Sequence, residues 1–323
     1  MTSVAGDAVP SSGPTLGDGL LLVDKAGGMS SFDVVRLVRR VARQRGVGHA
    51  GTLDPMATGL LVVAVGDGRK LLRWLAGDGK RYLATIALGK ETDSLDADGR
   101  VVREAPVPPG VSRAEVERAT RAFVGTFGQR VPVVSAVKRG GVPLYTRFRR
   151  GEAVEAPERE VTVHRLAVLD VRPVQSEIDV DLECAKGFYV RALARDLAAA
   201  LGTVGHLTAL RRVRSGAFDL AGAVDTDTLR AAAGNDADAC ARVARALVPV
   251  GRALPDALRL TLDAAGCDDA AHGRAIARER VLAGSWPEAG VEPLLLVNAA
   301  GDAVALARAE PDSLRVVRGL RVS

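Results

Sequence analysis

Four glycines and one proline fall within residues 46–59, GVGHAGTLDPMATG, and fix a tightly placed backbone that a ligand can approach closely. What flanks this loop constrains the fold. Before it, Ser30-Ser31-Phe32-Asp33 offers a capping-box start, and Val34, Val35, Leu37, Val38 and Val41 recur at helical spacing with arginines opposite. After it, Leu60–Gly66 (LLVVAVG) is a short, continuously apolar strand. Gly46–Gly51 matches G-x-G-x-x-G, but that fingerprint needs a strand before it and a helix opening at its end, where the pyrophosphate rests. Here the order is reversed, which argues against a nicotinamide or flavin site. Pro55 biases Asp54 toward an extended backbone. An Asp before Pro is ordinarily a turn former or cap. This one follows an arginine block, where a carboxylate can serve as nucleophile or base toward a nucleic acid and needs a cation nearby to stay ionised.

The rest of the chain mixes strands and helices. Gly19–Lys25 (GLLLVDK) reads as a buried-type strand, Arg69–Leu75 as a short helix and Arg81–Gly89 (RYLATIALG) as an alternating strand. Ser112–Val124 reads as a helix, 125–151 as mixed loop and short elements, Val161–Val171 and Glu177–Cys184 as paired strands, and Tyr189–Leu201 as a helix. Without a regular βαβα alternation, the expected class is α+β. Near residue 220 the character changes. Asp225–Ala233 reads as a capped helix and NDADACAR, from Asn235, as a solvent-exposed bridge. From Val250 onward, apolar runs at 292–298, 303–309 and 314–322 suffice for a small β-rich domain. No internal repeat is visible.

The net charge of +5 is mild, but its placement is not even. Residues 1–220 carry 32 basic and 25 acidic side chains, whereas residues 221–323 carry 12 and 14. Between Asp33 and Asp54 stand Arg36, Arg39, Arg40, Arg43 and Arg45 with no acid. Between Glu117 and Glu152 stand Arg118, Arg121, Arg130, Lys138, Arg139, Arg147, Arg149 and Arg150, again with none. Positive charge grouped this way is the footprint of a polyphosphate partner. Codon bias in a GC-rich genome accounts for arginine over lysine, but not for the missing acids.

Cys184, Cys240 and Cys267 are odd in number and share no short spacing, which disfavours a disulfide framework and a structural zinc, and suits a reducing cytosol. Residues 1–18, rich in Ser, Gly and Pro, read as a mobile tail without the pattern of a signal peptide. No apolar run approaches the roughly 20 residues of a membrane span. The expectation is a cytoplasmic protein with no membrane partner.

Six strings in order carry a family resemblance. They are GLLLVDKAGGMSSFDVVRLVRR, GVGHAGTLDPMATGLLVVAVG, KRYLATIALGKETDSLDADG, VSAVKRGGVPLYTRFRRG, CAKGFYVRALARDLAAALG and GHLTALRRVRSGAF, spanning about residues 19–220. Over this length the chain closely resembles the TruB family of tRNA pseudouridine synthases. The resemblance implies isomerisation of the uridine at tRNA position 55, in the TΨC loop, by base flipping, breakage of the N1–C1′ bond and re-formation through C5. It implies a pseudouridine synthase fold with a mixed, mainly antiparallel sheet flanked by helices. The division would be a tail at 1–18, a catalytic domain at 19–245 with a thumb-like insertion at about 125–151, and a PUA-like domain at 250–323. The implied partner is the T-arm stem-loop of tRNA, the implied assembly a monomer with no obligate protein partner, and neither cofactor nor metal is called for.

Carried over position by position, Asp54 matches the catalytic aspartate and Arg191, in YVRAL, the arginine that pairs with it. A bidentate guanidinium would hold that carboxylate charged and oriented. Whether Asp54 attacks C1′ or abstracts a neighbouring proton stays open. Tyr82 matches the tyrosine that stacks on the target base and offsets part of the unstacking cost. Tyr82, Tyr145 and Tyr189 are the chain's three tyrosines, and all lie in matched strings. Tyr189 and Leu210 match residues lining the uridine pocket, and His49 the histidine that takes the space vacated by the flipped base. Lys25 reads as a structural support of the site. Arg139, Arg147, Arg149 and Arg150, with Lys138, would contact phosphates from the thumb.

The chain departs from the family pattern at Ala26, where Pro is usual, and at Val133 and Val134, which replace Pro-containing and aromatic positions. The competing reading from another class is a non-catalytic tRNA-binding or folding chaperone that uses the same basic groove. An intact set of Asp54, Tyr82 and Arg191 would be idle in such a protein.

Overall fold

The computed structural model describes residues 16–321 except 78, 136, 151 and 153–155, and no side chain at 138, 139, 143, 145 or 149. Most of the expected tail, Ala136, and the side chains of Lys138, Arg139 and Arg149 therefore lie outside the described residues. Leu16, within the expected tail, already packs against the main core, and its carbonyl accepts from Gln44 Nε2 at 3.0 Å.

The fold is α+β, built on a mixed, mainly antiparallel sheet. Its strands run in the order Val224–Asp225, Gly19–Lys25, Thr58–Val65, Gly205–Ser215, Lys80–Leu88, Glu177–Cys184, Glu158–Arg172 and Gly125–Arg130, with three short strands attached at the flanks. Two pairings are parallel, Gly19–Lys25 with Val224–Asp225 and Thr58–Val65 with Gly205–Ser215.

The continuous apolar run at Leu60–Val65 has a direct cause. Leu61, Val63 and Val65 face one core with Val34, Val35 and Val38 of the helix Ser31–Ala42, while Leu60, Val62 and Ala64 face a second core. A strand buried on both faces cannot alternate apolar with polar. The second core contains Leu295, Val297 and Leu306, so the C-terminal β region packs on the back of the main sheet. That region is a six-stranded sheet ordered Ile276–Ala277, Ser313–Gly319, Ala303–Ala309, Leu294–Val297, Leu258–Leu262 and Val281–Ala283.

Local signals set the helix starts. Ser30 and Asp33 form a complete capping box on Ser31–Ala42, and Ser112 with Glu115 form another on Arg113–Thr120. Asp225 caps Thr226–Ala233 as expected.

Two segments differ from the sequence reading. NDADACAR is no bridge but part of the helix Ala237–Ala246, capped by Asp236, with Ala239 and Val243 buried against the core. Its apolar face consists of small side chains, too few to register as a stripe. In the block at 125–151, the strand Gly125–Arg130 is the edge of the main sheet, paired with Glu158–Val163. The part that stands apart from the sheet begins at Val131 and includes the strand pair Lys138–Arg139 with Val142–Pro143 and the helix Leu144–Arg149.

Candidate active site

Asp54 sits in a loop pinned from three sides. Ser31 Oγ accepts from Leu53 N–H at 2.8 Å and donates to Leu53 O at 3.1 Å, which ties the helix Ser31–Ala42 to the residue before Asp54. The Lys25 ammonium, fully buried, donates to Ala26 O at 3.0 Å, Met29 O at 2.7 Å and Pro55 O at 3.2 Å. Arg212, also fully buried, donates to Leu60 O at 2.7 Å, Gly51 O at 3.0 Å and Thr52 O at 3.4 Å. The loop closes on this arginine at Gly59, whose φ is +94° and where a Cβ would collide with the Arg212 carbonyl.

Opposite the loop, Arg191 enters from the second residue of the helix Val190–Ala200. Its Nε donates to Asp54 Oδ2 at 2.9 Å and its Nη2 to Asp54 Oδ1 at 3.3 Å, a two-point grip on the carboxylate. The same guanidinium donates to Ser94 O at 2.7 Å and Val134 O at 3.0 Å, and lies 3.5 Å from Asp96 Oδ2. Val134, a departure from the family pattern, thus contributes a carbonyl that any residue would supply. The start of this helix is itself clamped. The buried Gln129 amide accepts from Tyr189 N–H at 2.9 Å and donates to Tyr189 O at 3.1 Å.

Between these two walls lies a cavity of about 790 Å³ lined by Asp54, Tyr82, Tyr189, Arg191, Leu210 and Arg212, among others. Tyr82 and Arg212 are cross-strand partners, and both line the cavity. Burial pushes the Tyr82 hydroxyl above its ordinary range, with the Arg212 charge opposing, so the phenol is protonated at neutral pH. Burial likewise raises Asp96, against the hydrogen bond from Ser94 and the charge of Arg191. Lys25 is lowered to about 8, chiefly by burial, with Asp54 opposing and Arg212 adding to the shift. Burial pushes the Cys184 thiol, on the cavity wall, up to about 12, which makes it a poor nucleophile.

The geometry gathers Asp54, Tyr82, Arg191, Tyr189 and Leu210 in one cavity. Lys25 lies beneath the loop. His49 is not among the lining residues; it is on the short strand Val47–His49, its Nδ1 buried without a hydrogen-bond partner. Burial, then the Arg212 charge, lowers its pKa, so the ring is neutral at pH 7. Arg147 is half-buried and Arg150 exposed, 3.7 and 3.9 Å from the Glu152 carboxylate.

Four contributors were not singled out from sequence: Arg212, Asp96, Gln129 and Phe148, the last lining the cavity from the helix Leu144–Arg149. Arg212 had a readable signal, since it occupies an inward position of a strand that otherwise turns Leu207 and Leu210 to the core. A buried arginine needs partners there. Among the described residues, no group of three or more His, Cys, Asp or Glu side chains could hold a metal ion.

Residues 39–190 match the family model for the N-terminal domain of TruB family pseudouridylate synthase, and residues 191–255 that for the tRNA pseudouridylate synthase B C-terminal domain. The boundary between them falls at the helix Val190–Ala200, although the main sheet continues across it. The tRNA pseudouridine synthase B of Thermobifida fusca (strain YX) is 48% identical over 222 residues, 67% of this chain and 75% of the relative. That of Leifsonia xyli subsp. xyli (strain CTCB07) is 41% identical over 298 residues, 90% of this chain and 92% of the relative. Among solved structures, a Cbf5-Nop10-Gar1 complex contains a chain that aligns with a TM-score of 0.70 at 22% identity, covering 94% of this chain and 84% of that one, which shows a shared fold. With relatives this similar over this much of their length, the chain belongs to the TruB family of pseudouridylate synthases.

Proposed function

We propose that the protein isomerises the uridine at position 55 of the tRNA TΨC loop to pseudouridine, with Asp54 as its catalytic carboxylate. The observation that carries this reading is the Asp54–Arg191 pair on the wall of a cavity that Tyr82 also lines. The uridine leaves the stack and enters the cavity, where Tyr82 offers an aromatic face. Asp54 acts at C1′ as nucleophile or at the adjacent ribose position as base, and both routes need it ionised. Arg191 holds it so. The N1–C1′ bond breaks, the uracil turns and C5 bonds to C1′. C5 then gives up its proton to solvent while N1 takes one up, so the reaction is balanced without a redox partner.

Tyr189 and Leu210 line the uridine pocket, Lys25 and Arg212 hold the loop, and Arg147 and Arg150 reach phosphates together with Lys138, Arg139 and Arg149. In this reading His49 moves into the space left by the extruded base. We assign residues 19–245 to catalysis and 250–323 to a PUA-like domain, whose slight acidity assigns most phosphate binding to the catalytic part. The protein acts in the cytoplasm as a monomer; no described helix is long and apolar enough to cross a membrane.

The test is release of tritium from C5-labelled uridine in a T-arm stem-loop. Asp54→Asn is expected to bind the RNA and release none. Normal release by that variant overturns the assignment of Asp54, and binding without release by the unmodified protein favours the chaperone reading.

A further inference from the structure

The arginines of the helix Ser31–Ala42 take no part in the site described so far. We propose that Arg36 and Arg40, with Arg230 facing them across a groove, cradle the phosphate backbone of the substrate RNA as it leaves the active site. This inference rests on the RNA substrate of the proposed function and adds a second contact surface apart from the thumb.

Four observations support it. The first is registration. Ser31 at the head of the helix is bonded to Leu53 through both its donor and its acceptor, so a cation on this helix holds a fixed distance from Asp54. The second is direction. Phe32, Arg36 and Arg40 stand four residues apart and all are exposed, so they form one row down the helix. Each step rises about 6 Å at 1.5 Å per residue, comparable to the spacing of successive phosphates along an RNA strand.

The third observation is shape. Arg36 and Arg40 border a surface cavity of about 250 Å³ that Met29, Asp33 and Leu37 also line, with Arg230 contributed by the helix Thr226–Ala233. The fourth is the state of the charges. Arg40 has no carboxylate partner among the described residues. Arg36 pairs with Asp33 at 2.8 Å, but that carboxylate also caps the helix through Ser30. Arg230 pairs with Asp227, whose side chain is 88% exposed. Exposed pairs of this kind contribute little, so a phosphate can displace them.

Equilibrium binding of a tRNA transcript is measured from 50 to 300 mM salt in an Asp54→Asn background, which removes turnover. Replacing Arg36, Arg40 and Arg230 together with Gln is expected to weaken binding about tenfold at 100 mM salt and to flatten the log–log salt slope by about 2, at somewhat under one unit per phosphate contact. The corresponding triple Lys variant is expected to keep the slope. With Asp54 intact, the Gln variant is expected to lose kcat/KM through a raised KM. If the Gln variant keeps affinity and slope, the cradle is overturned while the proposed function stands. If the Lys variant loses as much as the Gln variant with an unchanged melting temperature, an electrostatic contact is likewise overturned. If the Asp54→Asn protein binds no tRNA at all, the proposed function fails first.

Discussion

The cavity has two unlike walls. On one, Arg191 is bound by the carboxylates of Asp54 and Asp96. On the other, Arg212 and Lys25 are buried with no carboxylate at ion-pair distance among the described residues, and donate to six backbone carbonyls between them. Carbonyls satisfy the donors of a buried cation but leave its charge in place, whereas a carboxylate cancels it. The difference teaches a division of labour. We infer that the ion-paired wall governs the charge of Asp54 and that the carbonyl-anchored wall governs its position.

Breaking the first wall is expected to cost the most. Arg191→Met leaves Asp96 buried and Asp54 half-buried without a counter-charge, and loss of one partner of a buried pair commonly costs about 3–5 kcal/mol. Tritium release should fall by a factor of about 10³ or more. A loss under tenfold would show that the Arg191 contact is not what prepares Asp54 for the reaction. Arg212→Met strikes the second wall. It strands the carbonyls of Gly51, Thr52 and Leu60, at about 1–3 kcal/mol per unsatisfied buried group, offset in part by removing a buried charge. The expected result is a lower melting temperature together with a kcat reduced about a hundredfold, because the loop that carries Asp54 loses its anchor. An unchanged kcat in a destabilised variant would confine Arg212 to folding.

The two walls were not equally legible in the sequence. Asp54 stood out because its setting is local: glycines, a following proline and a preceding arginine block. The capping box at Ser30 was readable for the same reason, being complete within four residues. Arg191 was located by resemblance alone, since an arginine on an amphipathic helix gives no sign of a partner 137 positions away. Arg212 and Asp96 depend on strand register and loop closure. These bring Arg212 beside Tyr82 and Asp96 beside Arg191, so the strand position of Arg212 shows that it needs partners but not which ones. Arg36 and Arg40 were visible as charge, but their direction relative to Asp54 follows from the Ser31–Leu53 contact.

The smallest expected effect separates anchoring from charge within the second wall, and it is a pH effect on stability. Lys25 titrates at about 8 in the folded protein against a reference of 10.5. Between those values the unfolded chain holds the proton that the folded chain has lost. Stability rises with pH wherever the unfolded state binds more protons. The protein should therefore gain stability relative to Lys25→Met as pH rises above 8, by about 1 kcal/mol between pH 8 and 9, with the difference flat below pH 7. Parallel urea titrations of the two proteins across pH 6.5–9.5 measure it. A difference that shrinks with rising pH would mean that the carbonyls of Ala26, Met29 and Pro55 hold the ammonium strongly enough to outweigh its burial. Lys25 would then stabilise the loop through its charge, as well as through its reach.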